Sequence, residues 1–180
     1  FHLLQGSDYF NYKNTRIVRN NCGFTYWGVT HEYVNAPPGM NLEYGFFPKE
    51  ELFIIDVGDG GAKADKFERD IRLLKKGLEE IPNNDRYTFY LANSYRDHGD
   101  DELAIDTYKK RVAIGGWVEE IWQSYHCIAK LYKKRGDISN AIYYWLEAYH
   151  RFPNRIENLY EIINHYRVEG KNLLAYYFYK

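Results

Sequence analysis

Apolar and polar positions change their period once along the chain. Before about residue 60 they come in short runs. Asn14 to Val18 and Phe24 to Val29 mix β-branched and aromatic residues, with the turn-formers Asn20-Asn21-Cys22-Gly23 between them. Phe1-His2-Leu3-Leu4 reads as the inside of a strand, and Ala36-Pro37-Pro38-Gly39 as a loop. Leu52-Phe53-Ile54-Ile55-Asp56-Val57 has buried-strand length and is closed by Gly58-Asp59-Gly60-Gly61. From about Ala62 the spacing turns helical: Phe67, Ile71, Leu74 and Leu78 step by four, three and four, one face of a helix that Pro82-Asn83-Asn84 ends. After it comes an internal repeat. Gly99, Gly136 and Gly170 lie 37 and 34 residues apart, and Ala104, Ala141, Ala175 and Tyr95, Tyr132, Tyr166 keep the same two intervals. Each glycine is placed to end one helix in a left-handed turn before the next begins. Each alanine follows its glycine by five residues, where a small side chain lets two helices approach closely.

The repeat resembles the tetratricopeptide repeat. The middle copy holds Tyr125, Ile128, Ala129, Tyr132, Gly136, Ala141, Trp145, Ala148 and Pro153 at that family's signature spacing. The first copy keeps Leu91, Ala92, Tyr95, Gly99, Ala104 and Tyr108, puts Arg111 at the second small position and inserts three residues around Gly115-Gly116-Trp117. The third has Leu159, Ile162, Tyr166, Gly170 and Ala175, then runs out. The resemblance covers about residues 84–180, with the helix over 65–81 stacked before it. It implies an array of helix pairs, an architecture that serves as a scaffold and names no function.

Composition narrows the classes. A chain of 180 residues is one domain, or one plus part of a second. Apolar residues at 45% and aromatics at 18% argue against disorder. The mean hydropathy is −0.63, and no apolar run has the length of a membrane span. Lys plus Arg number 24 against 25 Asp plus Glu, which removes the basic excess of a general nucleic-acid binder. Cys22 and Cys127 form neither a disulfide framework nor a zinc pattern, and the N-terminus is not signal-like, so a reduced, cytoplasmic protein is expected. Leu173 to Lys180 stops without a helix-ending signal, and both ends read as cuts within a longer polypeptide.

The densest cluster of reactive side chains in the first half is Tyr26-Trp27-Gly28-Val29-Thr30-His31-Glu32-Tyr33. A His beside a Glu supplies a metal ligand and a general base, but adjacent strand residues face opposite ways. Both reach one site only if the strand ends there; otherwise they are structural. A second His four residues after His31 is missing, since Asn35 stands there, so the metalloprotease pattern fails. The segment from Asp56 to Lys63 lacks both the P-loop ending and the last glycine of the dinucleotide fingerprint. It reads either as backbone N–H groups for a phosphate or as a plain strand-to-helix turn. Asp56 and Asp59 alone make a weak cation site, and the chain has no Asp-x-Asp. The charges from Lys63 to Lys76 read as a solvated helix face, and the repeat tyrosines as packing between helices. Extra tyrosines such as Tyr143 or Tyr144 are candidates for a peptide or glycan.

Taken in order, Thr15-Arg16-Ile17-Val18-Arg19, Trp27-Gly28-Val29-Thr30-His31-Glu32-Tyr33, Gly58-Asp59-Gly60-Gly61 through Asp70, Arg86 to Tyr95 and Gly115-Gly116-Trp117-Val118-Glu119-Glu120 resemble the C-terminal part of a family 2 glycosyltransferase with a tetratricopeptide tail, of bacterial or large-DNA-virus type. That resemblance implies an α+β fold: residues 1–61 as the C-terminal remnant of a GT-A α/β domain, and residues 62–180 as an all-α helical repeat array. It implies inverting transfer of a sugar from a nucleotide-sugar donor to a glycan or protein hydroxyl, assisted by Mn²⁺ or Mg²⁺. Glu32 is then the candidate base or acceptor ligand, and His31 shapes the site or lies near the metal. Arg16, Arg19 and Trp27 contact substrate, and Asp56 stands where relatives carry a metal-proximal His. The nucleotide-binding half would lie upstream, so these 180 residues are expected to be inactive alone, in the cytoplasm, or the host cytoplasm if viral. The alternative is a tetratricopeptide scaffold that docks a protein partner without catalysis. A metal-dependent hydrolase on His31, Glu32 and Asp56 has the poorest ligand spacing.

Overall fold

Helices form where the 3.6-residue spacing predicts them, and their ends are set by caps. In the computed structural model, which describes residues 1–57 and 65–180, seven helices follow five short strands: α1 Lys66–Glu80, α2 Asp85–His98, α3 Asp101–Ile114, α4 Val118–Lys134, α5 Ile138–Arg151, α6 Glu157–Val168 and α7 Asn172–Tyr179. Asn84 caps α2 by accepting the Tyr87 amide at 2.8 Å, and Asp137 caps α5 by accepting the Asn140 amide at 3.1 Å. Gly99, Gly136 and Gly170 all have positive φ, at 100°, 79° and 71°. Beyond each, an amide returns to the repeat tyrosine: Asp100 to Tyr95 O, Asp137 to Tyr132 O and Lys171 to Tyr166 O, at 2.8 to 2.9 Å. The same stop is built three times.

The chain divides into two units, Phe1–Lys66 and Phe67–Lys180. In the helical unit, Ala104 and Ala141 are fully buried and Ala175 nearly so, as the close approach of paired helices requires. Ala92, Ala104, Ile105, Tyr108, Cys127, Ile128 and Leu131 form one core cluster, and Trp145 fills the next with Ala129, Ala141 and Ile162. On α1, Leu74 is buried, while Phe67, Ile71 and Leu78 are half-buried.

The first unit holds two small sheets. Strands β1 (His2–Gly6), β2 (Asn11–Thr15) and β5 (Phe53–Ile55) make one, in the order β2-β1-β5. β1 pairs antiparallel with β2, from His2 opposite Thr15 to Gly6 opposite Asn11, and parallel with β5. Strands β3 (Thr25–Trp27) and β4 (Tyr33–Asn35) form a separate antiparallel hairpin. This corrects the expectation of a GT-A remnant. A parallel α/β sheet is buried by helices on both faces, whereas here one strand pair is parallel, exposed residues recur along β2, β3, β4 and β5, and no helix covers them among the described residues of this unit. Within it, Leu3 is the one buried aliphatic side chain among the described residues.

Candidate functional site

His31 and Glu32 lie in the loop that joins β3 to β4, both exposed, with His31 in the left-handed region at φ 51°. The strand does end before them, as the two-ligand reading requires. Gly28, at φ 115°, begins this loop, and the buried Thr30 sits inside it. Trp27 faces its cross-strand partner Tyr33, ring centroids 5.5 Å apart. Arg16 lies beyond β2 and donates Nε and Nη2 to Gln5 Oε1, at 2.9 and 2.6 Å; Arg19 is exposed further along. Asp56 follows β5 on the other sheet, where its amide donates to Gly6 O at 2.8 Å. It borders a depression of about 240 Å³ with Ser7, Tyr9 and Phe53. The six residues are thus spread over two sheets. Among the described residues no group of three His, Cys, Asp or Glu side chains is placed to hold a metal ion. Asp59 and the rest of the glycine-rich segment lie outside the described residues.

The helical unit contains two constellations that pattern reading did not single out. The first surrounds Arg111, the residue standing where the repeat calls for a small one. Its side chain is fully buried and donates Nε and Nη2 to Glu120 Oε2, at 3.2 and 3.0 Å. It also donates to the carbonyls of Gly115 and Trp117, with Asp85 Oδ2 at 3.6 Å. The inserted Gly115-Gly116-Trp117 is therefore the wrapping of a buried guanidinium. Gly115 and Gly116, at φ 79° and 93°, turn the backbone so that its carbonyls face Arg111. Burial pushes the Glu120 carboxyl above its ordinary value, against the pull of Arg111. The group is an ion-pair cluster built around a fully buried guanidinium. The signal for it was an arginine at a small-residue position followed by a glutamate nine residues on.

The second is a place between successive repeats that is filled twice and open once. Tyr132 stacks on Tyr144, centroids 5.5 Å apart at 13°, and Tyr166 stacks on Phe178 at 5.7 Å and 15°. These pairs are related by the 34-residue interval, and the 37-residue interval carries them back to Tyr95 and Thr107. Thr107 has no ring to offer. Its hydroxyl turns back to Leu103 O at 2.6 Å, and Tyr95 and Thr107 both border an open groove of about 960 Å³. Leu78 of α1, Leu91 of α2 and Leu103 of α3 add apolar lining. At the filled place in the second repeat, Lys109 donates to Tyr132 OH at 3.1 Å and lies over both rings. That hydrogen bond, outweighing burial, raises the Lys109 pKa, while burial raises that of Tyr144.

The chain matches no known family model, and no curated protein resembles it closely enough to count as a relative. Among solved structures it is similar to MamA, at 25% identity over 69% of this chain and 66% of that one, with a TM-score of 0.53. It is also similar to the MamA RS-1 ArsTM double mutant, at 14% identity over 64% of each chain, again with a TM-score of 0.53. The chain thus spans a little under two thirds of each. These likenesses support a tetratricopeptide-like helical repeat fold. They overturn the reading as part of a family 2 glycosyltransferase, for which neither a family match nor a GT-A structure was found. The expectation of a glycosyltransferase enzyme rested on that resemblance and is corrected with it: the solved structures that the chain resembles support the helical repeat fold. Nucleotide-sugar and glycan partners, and a viral setting, have no support. Glu32, His31, Arg16, Arg19, Trp27 and Asp56 lose the resemblance that supplied their roles. No described helix is long and apolar enough to cross a membrane.

Proposed function

We infer that this chain is a protein-interaction scaffold whose repeat array binds a segment of a partner polypeptide. The observation that carries the reading is the open groove bordered by α1, α2 and α3, large enough for several side chains and lined by Leu78, Leu91 and Leu103. A helical array offers extended, rigid surfaces of this kind because each helix pair packs only on its neighbours, which leaves one long side uncovered. Backbone hydrogen bonds close the stops after α2, α4 and α6, which limits the reordering of the scaffold on binding.

A peptide display library panned against the intact chain tests the reading. Recovered sequences that bind in solution, by calorimetry with synthetic peptides, are the expected result. A folded chain that retains no peptide above background would remove the scaffold assignment.

A further inference from the structure

We propose that the groove at Tyr95 and Thr107 receives an aromatic side chain of a partner polypeptide, flanked by acidic residues. The proposal rests on the scaffold reading above and names the partner's chemistry. The chain itself shows what fits this place. In the second and third repeats the equivalent position is occupied by a ring from the chain's own helix, Tyr144 on Tyr132 and Phe178 on Tyr166, each stacked nearly parallel. In the first repeat the ring-bearing position is Thr107, so half of each stacked pair is present, as Tyr95, and half is missing. A stacked aromatic pair gains beyond the area it buries, and Tyr95 stands half-buried with that gain unused.

Charge selects the flanks. Lys75 of α1 and Lys110 of α3 border the groove against the single carboxylate of Asp106. Among the described ion pairs none involves either lysine. At the filled place Lys109 of the preceding helix α3 lies over the ring pair; the 37-residue interval carries it back to Arg72, and in the same helix α1 Lys75 borders the open groove. A ring entering the groove would meet a cation of the same kind, and acidic neighbours would pair with the two ammonium groups.

The probe is a fluorescent synthetic peptide with one central Phe between Glu residues, together with a Phe→Ala twin and a Glu→Lys twin. Anisotropy is followed against the full chain, Thr107→Tyr, and the double variant Lys75→Glu/Lys110→Glu. Thr107→Tyr supplies the missing ring from within, as Tyr144 does in the next repeat. The expected result is binding to the unaltered chain that weakens at least about tenfold with the Ala twin and with Thr107→Tyr. The lysine double variant, whose changes are on exposed side chains, should reverse the preference between the Glu and Lys peptides. Added salt should weaken the Glu peptide. Equal binding by Thr107→Tyr, shown by circular dichroism to be folded, would overturn the proposal, as would an unchanged charge preference in the double variant. If library peptides bind the chain and Thr107→Tyr alike, the groove assignment falls and the scaffold reading stands; if no peptide binds at all, both fall.

Discussion

Arg111 shows how one side chain reorganises its surroundings. A guanidinium cannot be deprotonated at any ordinary pH, so its complete burial obliges the chain to supply a carboxylate and carbonyls around it. Glu120 and the carbonyls of Gly115 and Trp117 meet that demand. Arg111→Met alone should therefore destabilise the array by about 3–5 kcal/mol, because Glu120 would be left charged and unpaired. Arg111→Met/Glu120→Leu should recover most of that loss, as replacement of a whole buried pair by apolar residues often does. Urea unfolding of the single and double variants checks both. A double variant no more stable than the single one would show that the backbone wrapping depends on the guanidinium itself.

Among the elements, the helices are held by their ends as much as by their faces. Asn84→Ala removes the acceptor for the Tyr87 amide and should cost about 1 kcal/mol of array stability, read by thermal unfolding. Gly136→Ala meets no atom within 4 Å, so its cost is that of the left-handed conformation alone, about 1–2 kcal/mol. The Asp137 cap adds a pH dependence. The Asn140 side chain and then its amide bond the carboxylate and hold its pKa below the usual 3.8. A group whose folded pKa is depressed contributes stability that is present above its unfolded value and lost as pH falls through the folded one. The unaltered chain should thus exceed Asp137→Ala in melting temperature above pH 3.8, and the gap should close as the pH is lowered further. A gap that stayed constant into strong acid would mean that the carboxylate does not cap the helix.

For the whole molecule, the array transmits a defect only to neighbouring repeats. Trp145 is fully buried between α4 and α6, packed with Ala129, Ala141 and Ile162. Trp145→Ala should cost about 3–5 kcal/mol. In a quasi-one-dimensional stack the loss falls on the helices that touch the cavity. Amide hydrogen exchange should show protection collapsing in α4 to α6, while α2 and α3 keep more of theirs. Uniform loss across all seven helices would mean that the array folds as one indivisible unit.

The repeat and its punctuation are written in local spacing. Periodicity, helix stops and small residues are local demands: a glycine is needed where φ is positive, and an alanine where helices touch. Gly99, Gly136, Gly170 and Ala104, Ala141, Ala175 were accordingly legible from spacing alone. The strands of the first half were legible as elements, but their assembly was not, because sheet pairing joins residues distant in sequence: β1 lies between β2 and β5. The resemblance to a GT-A domain filled that gap with an architecture that the small, separate sheets do not form. The remaining features depend on packing between helices. The stacking of Tyr132 on Tyr144 and Tyr166 on Phe178 exists only once the helices are packed, and only those two filled places show that Thr107 leaves a third one open. What a position lacks becomes visible when its equivalents are seen occupied in space.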